Sequence, residues 1–242
     1  GGGGDYFESD VRGVGSNITI NGGEVTATGG DSGAGIGGGR YENGRNITIS
    51  GGTVTATGGW RGAGIGGGEG RTGSDITVSG GTITTTGGKN ATDIGGGNGG
   101  STGTITITGG SVKATRGALT GVTNGTDNVY YTVVDLTGEY GTEAAVTDAS
   151  ETAYGMKDVM TDADGKIYMY LPADEYGTSI LFGMHSYSGI ISAETGADNR
   201  LTKGAECKYS VLVLGDPAYY ERNESTQGIL IKDGADLTIK SA

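Results

Sequence analysis

Asn46-Ile47-Thr48-Ile49-Ser50-Gly51-Gly52-Thr53-Val54-Thr55-Ala56-Thr57-Gly58-Gly59, followed by Gly62-Ala63-Gly64-Ile65-Gly66-Gly67-Gly68, is one unit of a phrase repeated along the chain. Ile36, Ile65 and Ile94 each open an Ile-Gly-Gly-Gly tetrad, and 65 − 36 = 94 − 65 = 29. The anchors Ile18, Ile47, Ile76 and Ile105 keep that step, as do Val25, Val54, Ile83 and Val112. A fixed period without slippage makes each repeat one turn of a stack. Within the unit apolar and polar residues alternate, which is strand periodicity. Its Val, Ile and Thr residues are stiff at χ1 and suit strands. A helix would carry a glycine penalty of about 1 kcal/mol at each site.

The glycine pairs divide each turn into three expected extended pieces and three corners, since glycine takes backbone conformations that other residues resist. Stacked turns would pair in parallel about 4.8 Å apart. Ile47, Ile49, Val54, Ala56 and Ile65 should point inward, and Thr48, Thr55 and Thr57 outward. The triple glycine after each Ile marks a corner too crowded for a Cβ. This pattern resembles a right-handed parallel β-helix of the pectate-lyase-like type, the hand being the usual one for parallel crossovers.

Of the 54 glycines, 40 fall in residues 1–118, where the strict period argues for order rather than disorder. Gly1 to Gly4 read like the tail of another tetrad, so the chain is expected to be a piece of a longer protein. The single Cys207 rules out an internal disulfide framework. Residues 1–118 hold 8 Lys+Arg and 9 Asp+Glu, and residues 119–242 hold 8 and 19, giving −1 and −11 of the total −12. Nucleic acid is a poor partner for such a surface. No transmembrane span is visible, so no membrane insertion is expected.

After Thr115 the repeat breaks. Strands are expected at Val129–Leu136, Lys166–Leu171 and Tyr209–Leu214. Residues 161–176, from Thr161-Asp162 through Gly165, Leu171-Pro172 and Tyr176, resemble the hairpin signature of Cna-B and carboxypeptidase-regulatory-like β-sandwich modules. Asp174 stands where that family prefers glycine. Gly234-Ala235-Asp236-Leu237-Thr238-Ile239 parallels Gly73-Ser74-Asp75-Ile76-Thr77-Val78, which suggests a returning rung. The expected fold is all-β: a short parallel β-helix of 29-residue coils over 1–118, a β-sandwich-like module over 119–215, and a returning β-helical strand or cap over 216–242.

Arg40, Tyr41 and Arg45 follow the first tetrad, Trp60 and Arg61 occupy the next turn, and Arg71 follows the second tetrad. Arg pairs bidentately with carboxylates, and exposed rings stack on sugars. This edge is the candidate carbohydrate site, the alternative being solvated loop charges. The pairs Thr26/Thr28, Thr55/Thr57 and Thr84/Thr86 form outward ranks that resemble ice-binding arrays, although Thr is also a good exposed strand residue. Asp162 and Asp164 carry carboxylates at i and i+2, as calcium loops do, but Asp-Gly is also a common turn. No other cofactor is implied. His185 with Cys207, or Cys207 with Gln227 as a thioester, would supply reactive chemistry, against the simpler reading of a structural thiol.

The phrases Gly-Ala-Gly-Ile-Gly-Gly-Gly and Asn-Ile-Thr-Ile, read over residues 13–117, resemble the glycine-rich carbohydrate-binding β-helical repeats of Gram-positive surface proteins. That resemblance implies an extracellular or cell-surface location and a non-catalytic module that binds a polysaccharide, a host glycan or a cell-wall glycan, or serves as an adhesin stalk. A polysaccharide lyase or hydrolase on the same fold is the rival, because a fold does not fix a function. The acids of residues 17–118 are scattered over different repeat positions, which speaks against lyase chemistry. Unpaired rungs at the end of a stack are usually covered, and the second half is the expected lid.

Overall fold

The computed structural model describes residues 15–117, 119–125, 127–136, 159–182, 185–194, 197 and 199–206, together with the short stretches 146–147, 153–154, 209–214, 220–223, 228–231 and 236–241. Among these residues every regular element is a strand.

The repeats form a parallel β-helix of about three turns. Its strands are β1 (Gly15–Ile20), β2 (Glu24–Thr28), β3 (Ile36–Gly37), β4 (Gly44–Thr57), β5 (Ile65–Gly66), β6 (Gly73–Thr86), β7 (Ile94–Gly95) and β8 (Ile105–Ala114). Ile18 pairs with Ile47, Ile47 with Ile76 and Ile76 with Ile105, all parallel. Ile36 pairs with Ile65 and Ile65 with Ile94, so the tetrad isoleucines stand on consecutive floors. Ile47, Ile49, Val54, Ala56 and Ile65 are buried as the alternation requires. Each fully buried Ile contributes roughly 1.5–3 kcal/mol.

Two of the three expected extended pieces are one strand in the second and third turns. β4 and β6 run unbroken across the middle corner, which is a register shift at Ser50 to Thr53 rather than a break. The bend falls on Gly23, Gly52, Gly81 and Gly110, with φ of 80°, 89°, 90° and 85°. A second column, Asn17, Asn46 and Asp75, takes φ of 54–59°. Asn and Asp tolerate this left-handed region better than other residues with a Cβ. Asn46 Nδ2 donates to Asn17 Oδ1 at 3.0 Å, so the corner is also a side-chain ladder.

The tetrad glycines are close-contact positions. A Cβ on Gly66, whose φ is 132°, would lie 2.0 Å from the carbonyl oxygen of Gly95, and one on Gly37 would lie 2.1 Å from that of Gly66. The backbone ladder explains the crowding: Gly38 N–H donates to Gly66 O and Gly67 N–H to Gly95 O, each at 2.9 Å.

The last tetrad coil departs from the pattern where the next coil would lie. Its columns read Ala34, Ala63, Thr92; Gly35, Gly64, Asp93; and Gly44, Gly73, Thr102. Gly29 and Gly58 donate their N–H to the carbonyls of Thr57 and Thr86 one rung on. The equivalent N–H of Gly87 instead meets Asp93 Oδ1 at 2.6 Å, and the other carboxylate oxygen takes Arg116 N–H at 2.8 Å. Thr102 Oγ1 similarly stands 3.4 Å from Gly96 N, where the two earlier coils have a backbone carbonyl. Side chains thus replace the missing floor. Thr85 occupies the inward position of Ala56, fully buried, and donates to Asp93 O at 2.7 Å.

After β8 the step changes. β9 (Val122–Asn124) adds a short parallel rung with Val122 against Ile105, and β10 (Asp127–Asp135) then turns antiparallel to it. β11 (Val146–Thr147) and β12 (Ala153–Tyr154) pair antiparallel. β13 (Lys166–Pro172) pairs antiparallel with β10, so the solenoid sheet continues from β8 through β9 and β10 into the second region. β14 (Glu175–Phe182), β15 (His185–Ser192) and β17 (Thr202–Glu206) form a second sheet, while β16 (Asn199–Arg200) joins β10. β10, β13, β14 and β15 share one sandwich-like core, including Val134, Ile167, Met169, Leu171, Tyr176, Tyr187 and Ile191.

Residues 161–176 therefore do not form the hairpin that their resemblance implies. β13 pairs with β10, whereas β14 pairs with β15 in the other sheet. Tyr176 OH donates to Pro172 O at 2.9 Å across this crossing, the arrangement of a tyrosine corner.

Ile167 through Leu171 are all buried. Ile167, Met169 and Leu171 face the sandwich core, and Tyr170 joins the solenoid core with Val129 and Tyr131 packed against it. Tyr170 OH accepts Leu119 N–H at 2.9 Å. β13 is thus a wall shared by two cores, and the second region covers the open end of the stack.

The expected strand at Tyr209–Leu214 is β18, and β19 (Tyr220–Asn223) pairs antiparallel with β20 (Gly228–Ile231). The segment read as a returning rung is β21 (Asp236–Ser241), which pairs antiparallel with β18. An alternating apolar pattern marks a strand but carries no direction.

Candidate functional site

The 29-residue step aligns loop residues in columns: Asp31, Trp60, Lys89; Ser32, Arg61, Asn90; and Arg40, Glu69, Asn98. Trp60 is 57% exposed, and Lys89 Nζ lies 5.2 Å from the ring centroid, within cation–π range. Lys89 N–H donates to Trp60 O at 2.6 Å, and Asn98 Nδ2 donates to Lys89 O at 3.2 Å, so backbone and side-chain bonds tie these turns together. Trp60, Lys89, Asn90 and Arg116 line an open groove of about 500 Å³, floored by Gly58, Gly59 and Gly88. A Cβ on Gly88 would lie 1.9 Å from Gly59 O, so this floor is stacked backbone.

Beside the groove, Glu69 gathers two of the expected residues, and one of these holds a third. Arg61 Nη1 donates to Glu69 Oε1, and Arg40 Nε lies 3.4 Å from Glu69 Oε2. Arg40 Nη2 donates to Tyr41 OH at 2.8 Å, and its guanidinium sits 4.6 Å from the Tyr41 ring centroid. The hydrogen bond from Arg61 is the main reason the Glu69 carboxyl lies below its ordinary value, with burial opposing and Ser32 and Arg40 assisting. Tyr41 holds φ of 60° at the position of Gly70 and Gly99, and is 41% exposed.

Of the six expected residues, Arg40, Tyr41, Trp60 and Arg61 lie along this edge. Arg71 borders it, because the Cβ position of neighbouring Gly70 is 4.0 Å from Tyr41 Cδ1. Arg45 stands apart at the start of β4, with Ser16 and Ser74 as rung neighbours. Glu69, Lys89, Asn90 and Arg116 were not anticipated. For the first two the signal was present, since 69 − 40 = 29 and 89 − 60 = 29.

Asp162 belongs to a different construction. Its Oδ1 accepts the N–H groups of Asp164 at 2.9 Å and Lys166 at 3.0 Å. Its Oδ2 accepts Lys113 Nζ at 2.7 Å and Tyr168 OH at 2.6 Å. Burial alone would raise the Asp162 carboxyl, but these four donors outweigh it and hold it at about 2. Burial, then the Asp162 hydrogen bond, raises Tyr168. Burial and then Tyr168 push Tyr131, stacked on it with centroids 6.1 Å apart, up to about 12. The residues expected as calcium ligands form a turn whose carboxylate anchors Lys113 of β8. Among the described residues no group of three or more His, Cys, Asp or Glu is placed to hold a metal ion.

The threonine face is partly covered. Thr82 Oγ1 accepts Met160 N–H at 2.7 Å, and Lys113, next in the Thr55/Thr84 column, is bound to Asp162. The flat array is therefore confined to the earlier turns, with Thr26, Thr28 and Thr55 exposed and Thr57, Thr84 and Thr86 half-buried. Cys207, Gln227 and the side chain of His185 lie outside the described residues.

A family model described as a beta helix repeat matches residues 18–40 and 47–69, the first two coils. No curated protein and no solved structure matches the chain.

Proposed function

We propose that this chain is a non-catalytic polysaccharide-binding module of an extracellular or cell-surface protein, with the β-helix as its rigid support. The observation that carries this reading is the exposed Trp60 ring at the rim of an open groove. An aromatic face left in water on a rigid backbone suits stacking against a sugar ring. The groove is open and spans successive coils, from Trp60 through Lys89 and Asn90 to Arg116, as a chain-like ligand requires.

The rival hydrolase needs two carboxyl groups roughly 5–10 Å apart across a cleft. None of the residues lining the groove is acidic. Glu69, the carboxylate beside it, is held between two arginines. These features favour binding over turnover.

Trp60 is the sole tryptophan, so its fluorescence reports the site directly. Titration with soluble polysaccharides should shift its emission saturably, and Trp60→Ala should abolish retention on the same glycan while leaving the circular dichroism spectrum unchanged. Release of reducing ends or of 4,5-unsaturated products would favour the enzyme. Silence across the panel would leave a stalk without an adhesive groove.

A further inference from the structure

Resting on that reading, we infer that the groove selects polysaccharides bearing carboxylates, with Lys89 and Arg116 as the residues that read the charge. The chain carries 28 acidic residues against 16 Lys and Arg. Arg40 and Arg61 are ion-paired to Glu69, Lys113 to Asp162 and Arg200 to Asp135.

Lys89 and Arg116 form no such pair among the described residues, yet both line the one groove that Trp60 borders. The contacts of Lys89 Nζ and Arg116 Nη1 are the Trp60 ring and the Ala91 carbonyl at 3.3 Å, which orient them without neutralising them. Arg116 is further fixed through its N–H on Asp93.

Two oriented cations in an acidic chain raise the local potential and lower the reorganisation needed to meet an anion. Arg116 can grip a carboxylate bidentately, whereas Lys89 acts as a point charge. Asn90 adds an amide at the same rim, held at φ of 55°. A uronate polymer offers both required features, a sugar face for Trp60 and repeated carboxylates for the two cations.

The test uses the full chain with two probes sharing one backbone, polygalacturonate and its methyl ester, followed by Trp60 fluorescence and by retention in affinity electrophoresis. Wild type should bind polygalacturonate at least about tenfold more tightly than the ester, with the margin shrinking as salt rises. Lys89→Gln/Arg116→Gln should erase the preference, bringing the acidic polymer and the ester to one level. Equal binding of both polymers by wild type, or a double variant that retains the preference, overturns this inference while sparing the glycan reading. No binding to either polymer, with saturable binding to a neutral β-glucan, overturns it as well. No binding to any polysaccharide removes both.

Discussion

Lys113 Nζ and Asp162 Oδ2 lie 2.7 Å apart, and this one ion pair joins β8 of the solenoid to the turn that leads into β13. Its four-donor carboxylate makes the junction acid-sensitive in a defined direction. A carboxyl depressed in the folded state contributes stability that is present above its unfolded value and is lost as pH falls through its folded value. With Asp162 held at about 2, the contribution should fade between about pH 4 and pH 2. Asp162→Asn should cost roughly 1–2 kcal/mol at pH 7, a figure discounted because Lys113 is a third exposed. Urea denaturation followed by circular dichroism at pH 7, 4 and 2 should show the gap between wild type and variant closing at the acid end. A gap of constant width would refute the assignment.

Asp93 caps the last tetrad coil, so its removal should lower the stability of the stack. Asp93→Ala strands the buried N–H of Gly87 and releases that of Arg116. An orphaned buried donor costs about 1–3 kcal/mol, and the total should reach about 2–3 kcal/mol. Asp31, exposed in the groove-side column, is the control, and Asp31→Ala should stay within about 0.5 kcal/mol. Equal midpoints for the two variants would remove the capping role.

Gly66 has no room for a methyl group. Gly66→Ala sets a Cβ about 2.0 Å from Gly95 O at φ of 132°, and should cost about 4 kcal/mol or more. Gly22 has nothing within 4 Å of its Cβ position, so Gly22→Ala should be near neutral. Thermal melts of the pair would check the contrast. A Gly66→Ala protein melting like wild type would show that the tetrad corner is looser than the backbone ladder implies.

The stack was legible because its cause is local and repeated. Ile18, Ile47, Ile76 and Ile105 pair in one column, and the last three are buried alike, so one coil predicts the next. The site was half legible. Arg40, Trp60 and Arg61 drew attention as charged and aromatic loop residues, yet their partners Glu69 and Lys89 emerge only when columns, rather than neighbours, are read. Asp93 was written into the column Gly35, Gly64, Asp93, but its meaning depends on knowing that no further floor lies above it. The second region resisted for a different reason. Val122 takes its place above Ile105 after 17 residues (122 − 105), and Tyr170 enters the solenoid core from another strand altogether. Such pairings are fixed by burial across long separations, which no periodicity records.

The stacked glycine corners carry a consequence for how such a protein can change size. An interior coil meets the coils above and below through matching backbone and matching side-chain columns, while the closing chemistry sits at the terminus. Duplicating residues 44–72 in tandem would therefore add one storey of about 4.8 Å, leaving the closing carboxylate and the lid as they are. Height is the one dimension this architecture can vary by simple copying. Each added storey would bring its own Trp60 and Arg61, extending that edge in whole-number steps.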